Sequence, residues 1–544
     1  MGGGEYSVCY EAGDGHAVIY DETRQAYVYA RQDTNGALVS SGIAVGDGTD
    51  ADRAALATIP LHQTDVSSTA REMRRERIRR FDEETGRAAR WGELKETMRK
   101  IREAKRNGLK MAPPSRPTIG TVKGLAILID FPIASSSATT WSTVHPGVTT
   151  GELDNLLNGE SCTLYGNYLS VRGYYHDVSN GRLDYSMEII GPILAPRPRS
   201  YYDDTTRDNG ECARELIADV LSAIWNDAKF STKYLPVLQS LSTQDDVVRS
   251  LNFWFAGESA TRWSYGLWAH KWSVGTSIAS AYRFTVGSKS VKFGNYQITP
   301  ITSTPGIYTF CHENWHMLCG FPDLYSYQGN GNLGVGYFSL MFGSANKANP
   351  PFIDPYLRAA AGWIEPQTLP SAGSMVTVRN NHTDVWKYEN PTNPQEYYLV
   401  ENRQQKGRDA SIKASGILIW RCNEAGDNED PSVLTGFASD VHRLSNELSL
   451  EQADGDYEIE RNENSGDKWD SWYNGNNYSD GVFNDDSLPC ARWSKAGASG
   501  LSLGEFSANG DTMAFKVLNG AGSGSGPVND NFANATAFSD SPVR

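Results

Sequence analysis

Two histidines four residues apart, with a glutamate directly after the first, are the side chains of this sequence best suited to chemistry. His312, Glu313 and His316 lie in the segment 310–325, FCHENWHMLCGFPDLY. On a helix, this spacing places both imidazoles on one face, where two neutral rings can bind one zinc ion. Glu313 then lies beside the metal, where it could accept a proton from a zinc-bound water. The pattern predicts metal-assisted hydrolysis, and an ordinary polar helix face is the alternative.

The residues after the second histidine predict a third metal ligand. Cys319 and Gly320, followed by Pro322, predict the end of the helix, because glycine adopts the left-handed cap conformation and proline cannot continue a helix. The turn brings Asp323 back toward the metal. Three protein ligands with one open position are typical of a catalytic zinc site. Glu365, further along the chain, is the alternative third ligand.

Three more side chains are candidates for supporting roles at this site. The segment 336–343, GYFSLMFG, predicts a tight turn with Met341 in an apolar run. Met341 taken alone would more often be an ordinary core residue. Tyr325 and Tyr337 are candidates to stabilise the oxyanion that forms during hydrolysis.

Further segments accompany the histidine motif, namely Lys123–Pro132, Tyr174–Asp184, Asn349-Pro-Pro, Ala361-Gly-Trp363, Tyr397–Arg403 and Leu450–Asp454. Together with His312–Tyr325 and the Ser-Leu-Met turn, they resemble the immune inhibitor A-like family of secreted zinc metallopeptidases. The resemblance covers about residues 117–518. It implies a metzincin-like zincin fold with Met341 in a hydrophobic floor under the metal, preceded by a prosegment. The chain departs from the family pattern because Asp323 lies seven residues after His316 rather than six.

Composition limits the classes of protein to consider. A chain of 544 residues implies three or four domains, and its net charge of −15 argues against nucleic acid as the main partner. The sequence contains no run of 18 apolar residues, so a membrane span is not predicted. We expect a secreted or cell-surface monomer with protein or peptide substrates. No signal peptide is visible at the start of this sequence, so we expect that the native export signal has been removed.

Residues 1–116 are predicted to form an α/β prosegment that inhibits the enzyme intramolecularly. Short β segments lie between residues 17 and 40, and a helical pattern covers 66–107. Residues 71–110 hold 15 Lys or Arg against 8 Asp or Glu, which indicates an acidic partner surface. The Pro-rich stretch 111–117 predicts a domain boundary. The alternative is an accessory domain that is never removed. Three dibasic pairs are candidate exposed cleavage sites: Arg74-Arg75, Arg79-Arg80 and Lys105-Arg106.

Residues 117–372 are predicted to form the catalytic domain, with a mixed twisted sheet and the zinc-binding helix. The apolar run Gly124–Phe131 predicts a buried strand, and Glu211–Phe230 predicts an amphipathic helix behind the sheet. His270 and His176 are more often structural histidines than metal ligands in such settings.

Residues 373–518 contain short strands between Asn/Asp/Gly loops and are predicted to form a β-sandwich-like domain packed on the catalytic one. The loop 462–487 is a candidate calcium site through Asp467, Asp470 and Asp480, and an ordinary polar surface loop is the alternative. Residues 519–544 are predicted to be a Gly/Ser linker and the start of a truncated further domain.

Seven cysteines form no C-x-x-C pair, so a thiolate zinc site is not predicted. Eight residues of helix would separate the Cα atoms of Cys311 and Cys319 by about 12 Å, too far for a mutual disulfide. Pairing of either one with Cys162 or Cys212, or simple burial, remains open.

The sequence as a whole predicts an α+β multidomain protein. Its expected function is that of a secreted zinc-dependent endopeptidase, made as a latent zymogen, with Glu313 as the general base. The alternatives are a catalytically inactive secreted binding or adhesion protein that retains a zincin fold, and a zinc hydrolase that acts on something other than protein.

Overall fold

The structure is a computed structural model that describes residues 10–519, except for 47–48, 61–62, 64, 110–117, 133–147, 205, 208–209, 242–246, 249, 260–264, 329–331, 435–443 and 477–480. It is a mixed α/β protein with several sheets. In the described part of the chain, no helix is both long and apolar enough to cross a membrane. The predicted boundary at 111–117 lies outside the described residues, as do Cys9, Asp480 and all of the predicted segment 519–544 except Asn519, which ends the last strand.

The N-terminal part begins with a four-stranded antiparallel sheet in the order β1-β2-β3-β4. These strands span Tyr10–Glu11, Ala17–Asp21, Ala26–Gln32 and Leu38–Ala44. Three helices follow: α1 (Asp50–Leu56), α2 (Ser68–Thr85) and α3 (Arg87–Arg106). Gly86 separates α2 from α3 because it adopts a left-handed conformation with φ of 64°.

A five-stranded mixed sheet forms the centre of the molecule, in the order β6-β5-β7-β11-β8. Its strands are β5 (Gly120–Asp130), β6 (Leu183–Leu194), β7 (Leu251–Ala256), β8 (His270–Ser273) and β11 (Asn295–Ile301). All neighbours are parallel except β8, which lies at one edge and pairs with β11 in the antiparallel direction. A separate hairpin joins β9 (Arg283–Val286) and β10 (Lys289–Lys292).

Helices cover both faces of this sheet. The helices that follow α3 in the described residues are α4 (Thr150–Asn158), α5 (Val171–Val178), α6 (Arg199–Tyr202), α7 (Glu211–Trp225), α8 (Leu235–Ser240), α9 (Thr276–Ala281), α10 (Tyr308–Leu318) and α11 (Pro355–Ala360). Single turns of 3-10 helix occur at Leu164–Gly166, Gly336–Phe338 and Gly407–Ser411, and a π turn occurs at Phe230–Tyr234.

Successive residues of β5 point to opposite faces, and both faces are buried. Leu125 and Ile127 share an apolar core with residues of α7, such as Leu216. Ala126 and Leu128 share a second core with residues of α5 and α10, such as Trp315. A strand buried on both faces needs a continuous apolar run, which is why the sequence signal at this strand is strong.

Two further sheets follow β11 in the chain. One has the order β12-β14-β15-β16-β17 and the other the order β13-β20-β19-β18, and they share one apolar core. The strands are β12 (Gln367–Thr368), β13 (Met375–Arg379), β14 (Trp386–Glu389), β15 (Glu396–Arg403), β16 (Gly416–Asn423), β17 (Leu448–Leu450), β18 (Val482–Phe483), β19 (Ser502–Gly504) and β20 (Thr512–Asn519).

Helices α2 and α3, the basic helix pair, pack on acidic side chains from residues 389–447. Its ion pairs are Arg75–Asp430, Arg87–Glu429, Lys95–Glu447, Arg102–Glu424 and Arg106–Glu389. Arg74 is buried and donates to the carbonyls of Gln328 and Asp65, so the prediction that Arg74-Arg75 is an exposed cleavage site is wrong at Arg74. Cys162, Cys212, Cys311, Cys319 and Cys422 are buried and form no disulfide with one another.

Candidate metal centre

Helix α10 and the loop after it bring His312, His316 and Asp323 together. The two Nε2 atoms lie 3.3 Å apart. Oδ1 of Asp323 lies 3.0 Å from Nε2 of His312 and 3.4 Å from Nε2 of His316. All three side chains are buried, and their donor atoms lie within 4.8 Å of one another. Two imidazoles and one carboxylate that converge on one point form a donor group that could hold a metal ion.

Backbone carbonyls fix the tautomers of the two histidines. Nδ1 of His312 lies 3.0 Å from the carbonyl oxygen of Leu340, and Nδ1 of His316 lies 2.5 Å from that of Phe321. A carbonyl oxygen only accepts, so each Nδ1 must donate, which leaves the Nε2 lone pairs free to bind a metal. The rings are therefore oriented as metal ligands require.

The end of α10 places Asp323. Cys319 caps the helix, and Gly320 follows with φ of 73°. The backbone N–H of Asp323 donates to Oε1 of Glu429, and Tyr327 donates its hydroxyl proton to Oδ2 of Asp323. The remaining oxygen, Oδ1, is buried and accepts no hydrogen bond from any described residue. That orphaned oxygen faces the two imidazoles, so the residues present fit a metal ion.

The electrostatics of the three ligands reflect their close approach. Burial raises the pKa of Asp323, but the two imidazoles outweigh burial and hold it well below its usual range. Burial lowers the pKa of His312, but the Asp323 carboxylate outweighs it and raises the pKa to about 9. A proton and a metal ion therefore compete for the same nitrogen of His312.

The turn around Met341 connects the helix that carries His312 with the loop that carries Asp323. The backbone N–H groups of Phe342 and Gly343 donate to the carbonyl of Ser339, which closes the turn. Within it, the carbonyl of Met341 accepts from Leu324, the residue after Asp323, and the carbonyl of Leu340 accepts from His312. The Met341 side chain is fully buried in the core that contains Phe310 and Trp315 of α10.

Glu313 lies between the two histidines in sequence and is also buried. Its Oε2 has no hydrogen-bond partner among the described residues. Burial raises the pKa of Glu313 above its usual value, although His312 and His316 oppose the shift. A carboxylate with a raised pKa is better matched to proton transfer near neutral pH than an ordinary one.

Tyr308 is a residue of this site that the sequence analysis missed. Its ring centroid lies 5.9 Å from that of His312, one helical turn away. Burial raises the pKa of Tyr308, and Glu313 and Asp323 raise it further, so the hydroxyl stays protonated. The spacing of 308, 312 and 316 along one helix face was the signal that could have found it.

The two predicted tyrosines lie in an aromatic group next to the site. The Tyr325 ring packs against Tyr327 at 5.5 Å and Phe342 at 6.0 Å, and the Tyr337 ring packs against Phe342 at 5.3 Å. A side chain at Gly343 would lie 3.1 Å from the Tyr337 ring and 3.7 Å from the Tyr308 hydroxyl. Tyr337 and Tyr308 therefore approach the same short stretch of backbone.

Glu365 does not join the donor group, so the alternative third ligand is not supported. It is exposed, whereas His312, His316 and Asp323 are buried together. The physical reason is the neighbouring Trp363, whose fully buried side chain anchors this segment and leaves Glu365 at the surface.

His270 has a structural role, as predicted. Its ring nitrogens lie 2.8 Å from the carbonyl oxygen of Trp268 and 2.8 Å from the hydroxyl of Tyr296. Burial lowers its pKa to about 3, so the ring is neutral. His176 is exposed and also lies outside the donor group.

The predicted calcium ligands are brought together only in part. Asp467 and Asp470 lie in one cluster, whereas Asp480 is outside the described residues. The third member of the cluster is Asp454, which precedes the loop 462–487 and was not predicted. Asp485, also in that loop, instead accepts from the backbone N–H groups of Ser499 and Gly500.

The N-terminal helix pair covers the back of the metal site and the edge of the central sheet. Arg87 of α3 pairs with Glu429, the same carboxylate that accepts from Asp323. Although burial lowers the pKa of Arg87, Glu429 and Asp82 hold it well above its usual value. Phe81 of α2 packs against Trp272 of β8 with ring centroids 4.8 Å apart.

Comparison with known proteins found no family model and no curated protein that matches the chain.

Proposed function

We propose that the chain is a secreted zinc-dependent endopeptidase that is made as a latent zymogen, similar to the immune inhibitor A-like family. The observation that supports it best is the convergence of His312, His316 and Asp323, together with a buried oxygen of Glu313 that has no hydrogen-bond partner in the described part of the chain. Each of these residues is the type that zinc-dependent hydrolysis needs at that place.

The three donor side chains would hold the metal, and the chain provides the groups around it. A zinc ion bound there would supply Lewis-acid polarisation of the scissile carbonyl and lower the pKa of an attacking water. Glu313 would accept a proton at Oε2 and return it to the leaving amine. Tyr308 would donate its hydroxyl proton as a hydrogen bond to developing negative charge, because its raised pKa keeps it protonated.

The edge strand β8 is the place where a peptide substrate would be aligned. It is the last strand of the central sheet and pairs with β11 on one side. An extended peptide can add to such an edge through main-chain hydrogen bonds, which favours a protein substrate over a small molecule.

Contacts of α2 with β8 support latency. Trp272 donates a hydrogen bond of 2.7 Å to Glu84, and Nζ of Lys271 lies 4.7 Å from the centroid of the Phe81 ring. The helix is thus packed on the strand that would align the substrate. In this proposal α2 and α3 must leave before an extended peptide can pair with β8.

A cleavage experiment tests the proposal. A recognition site for a specific protease is inserted between Lys110 and Thr118, and turnover of a quenched casein is measured before and after the cut. The matched control carries the same site between Gly46 and Thr49, which leaves α2 and α3 attached. We expect turnover only after the first cut. A zinc-loaded protein without turnover in any state would instead favour the catalytically inactive binding protein.

Because α2 and α3 are also held by non-covalent contacts, the cut alone leaves them docked until they dissociate. Arg87→Gln should speed their release, since it leaves Glu429 buried without its bidentate partner. Arg99→Gln is the matched control, because the ion pairs of Arg99 in the described residues are with Glu96 and Glu103 of the same helix. Faster onset of turnover in the first variant and not in the second would support latency by docking.

A further inference from the structure

A second group of acidic side chains lies apart from the histidine site. Carboxylate oxygens of Asp454, Asp467 and Asp470 lie within 4.8 Å of one another. Asp454 lies in the loop after β17, and the other two lie 13 and 16 residues further along. Asp470 is only 1% exposed, and the other two are half-buried.

Asp470 carries the observation that points to a ligand. Its Oδ2 accepts a hydrogen bond of 2.5 Å from the backbone N–H of Asp467. Its Oδ1 is buried and has no hydrogen-bond partner among the described residues. A buried carboxylate oxygen without a donor is costly unless a cation or a proton neutralises it.

The surroundings of the cluster increase this need for a cation. Burial raises the pKa of Asp470 well above its usual value, and the negative charges of Asp454, Asp467 and Glu460 raise it further. Burial also raises the pKa of Asp454 to about 6, with Asp456, Asp467 and Glu458 contributing. Several carboxylates therefore lie close together in a small volume, where each negative charge raises the pKa of its neighbours.

Backbone groups hold the three carboxylates in position. Oδ1 of Asp454 accepts from the N–H of Asp456 at 3.1 Å, and Oδ1 of Asp467 accepts from the N–H of Trp469 at 2.7 Å. Oriented oxygen ligands without any nitrogen or sulfur suit a hard cation such as Ca²⁺ rather than zinc.

We propose that Asp454, Asp467 and Asp470 bind a calcium ion that holds the 454–470 loop against the segment leading to Met341. Two backbone hydrogen bonds join these parts: Leu333 donates to the carbonyl of Ile459 at 3.1 Å, and Tyr337 donates to that of Ser465 at 3.0 Å. Both acceptors lie between Asp454 and Asp467 in the chain. A bound ion would therefore stabilise the turn in which the carbonyl of Leu340 orients His312.

The proposal is independent of catalysis and is tested on the full chain carrying Glu313→Gln, which removes self-digestion. The protein is stripped of metal, reloaded with one equivalent of zinc, and titrated with CaCl₂ while its thermal midpoint is followed. Terbium is titrated in parallel, because Trp469 lies next to Asp470 in the chain and can sensitise its luminescence. The same titrations are made with Asp470→Asn, Asp467→Asn and, as a control, Asp486→Asn, which is exposed.

We expect calcium to raise the midpoint by about 3 °C or more in the parent and the Asp486 variant. In Asp470→Asn the calcium-induced rise of the thermal midpoint and the terbium signal should disappear. In Asp467→Asn both responses should require at least a tenfold higher concentration of the ion. Asp467 is half-buried, so this variant keeps the test valid if Asp470→Asn does not fold. Equal calcium responses in all variants, or no response in the parent, would overturn the proposal.

Discussion

The backbone N–H of Asp323 donates a 3.1 Å hydrogen bond to Oε1 of Glu429, 106 residues further along the chain. Because Arg87 pairs with the same carboxylate, the N-terminal helix pair and the third candidate metal ligand share one buried partner. Docking of the basic helices is therefore coupled to the geometry of Asp323. The metal site and the proposed latency are linked through Glu429.

Replacement of Glu313 separates metal binding from turnover. Glu313→Gln removes the proton acceptor but keeps the shape of the side chain, so zinc content should stay the same while casein turnover falls by about 10²–10⁴. The matched control is Glu365→Gln, which changes an exposed glutamate outside the donor group. Loss of zinc from Glu365→Gln would contradict the assignment of Asp323 as third ligand.

A hydrogen bond from the Tyr327 hydroxyl helps to position the Asp323 carboxylate. Tyr327→Phe removes the hydroxyl that donates to Oδ2 of Asp323, while the ring remains to pack. Zinc affinity should fall by about 10–100-fold, the usual effect of losing a partner of a metal ligand. Affinity is measured by competition with a chelator of known zinc affinity. Tyr325→Phe is the control, and an equal loss in both variants would argue against a specific role for the Tyr327 hydroxyl.

The metal-free and zinc-loaded proteins should respond to pH in opposite directions. The pKa of His312 is about 9, above its ordinary value of 6.5, so the folded state binds this proton more tightly than the unfolded state. Its contribution to stability is therefore complete below about pH 6.5 and is lost as the pH rises through about 9. Zinc binding requires the deprotonated ring, so the stabilisation by zinc should grow over the same range.

This prediction is checked by thermal midpoints of metal-stripped and zinc-loaded protein between pH 6 and 9.5, each compared with His312→Asn. The difference between parent and variant isolates the contribution of His312. A metal-stripped difference that grows with pH would contradict the assignment.

Gly320 allows α3 to approach the end of α10. A Cβ atom there would lie 3.0 Å from Cβ of Arg90 and 3.1 Å from the backbone nitrogen of Trp91, and the residue also has φ of 73°. Gly320→Ala should therefore cost about 1–2 kcal/mol of backbone strain and also push α3 away. Gly108→Ala is the matched control, because Gly108 has φ of 70° with nothing within 4 Å of its Cβ position.

The readouts are the thermal midpoint and the rate at which a protease cleaves within α3. Both variants should show the backbone strain, but only Gly320→Ala should expose α3 to cleavage. Equal protease resistance would show that the contact at Gly320 does not hold α3 in place.

Local patterns in the sequence were sufficient to predict the core of the site. The positions of His312 and His316 follow from helical spacing, and the return of Asp323 follows from the left-handed glycine and the proline after it. The buried strand β5 was equally clear, because burial on both faces demands a continuous apolar run.

Contacts between distant parts of the chain could not be predicted. Glu429 shows no local pattern that connects it to Asp323 or Arg87, since the three meet only through packing. Asp454 was missed because a cation site can include one ligand from a separate loop. Such a ligand has no fixed spacing in the sequence to the other ligands. The basic composition of residues 71–110 did predict an acidic partner, but the acidic residues themselves are spread from Glu389 to Glu447.

Zinc content measured by mass spectrometry tests the central claim most directly. The purified chain, dialysed against metal-free buffer, is compared with His316→Asn and with His270→Asn, a buried structural histidine that serves as control. We expect one zinc per chain in the parent and the control, and none in His316→Asn. Zinc retained in His316→Asn, or absent from the parent after reconstitution, would contradict the assignment of this site.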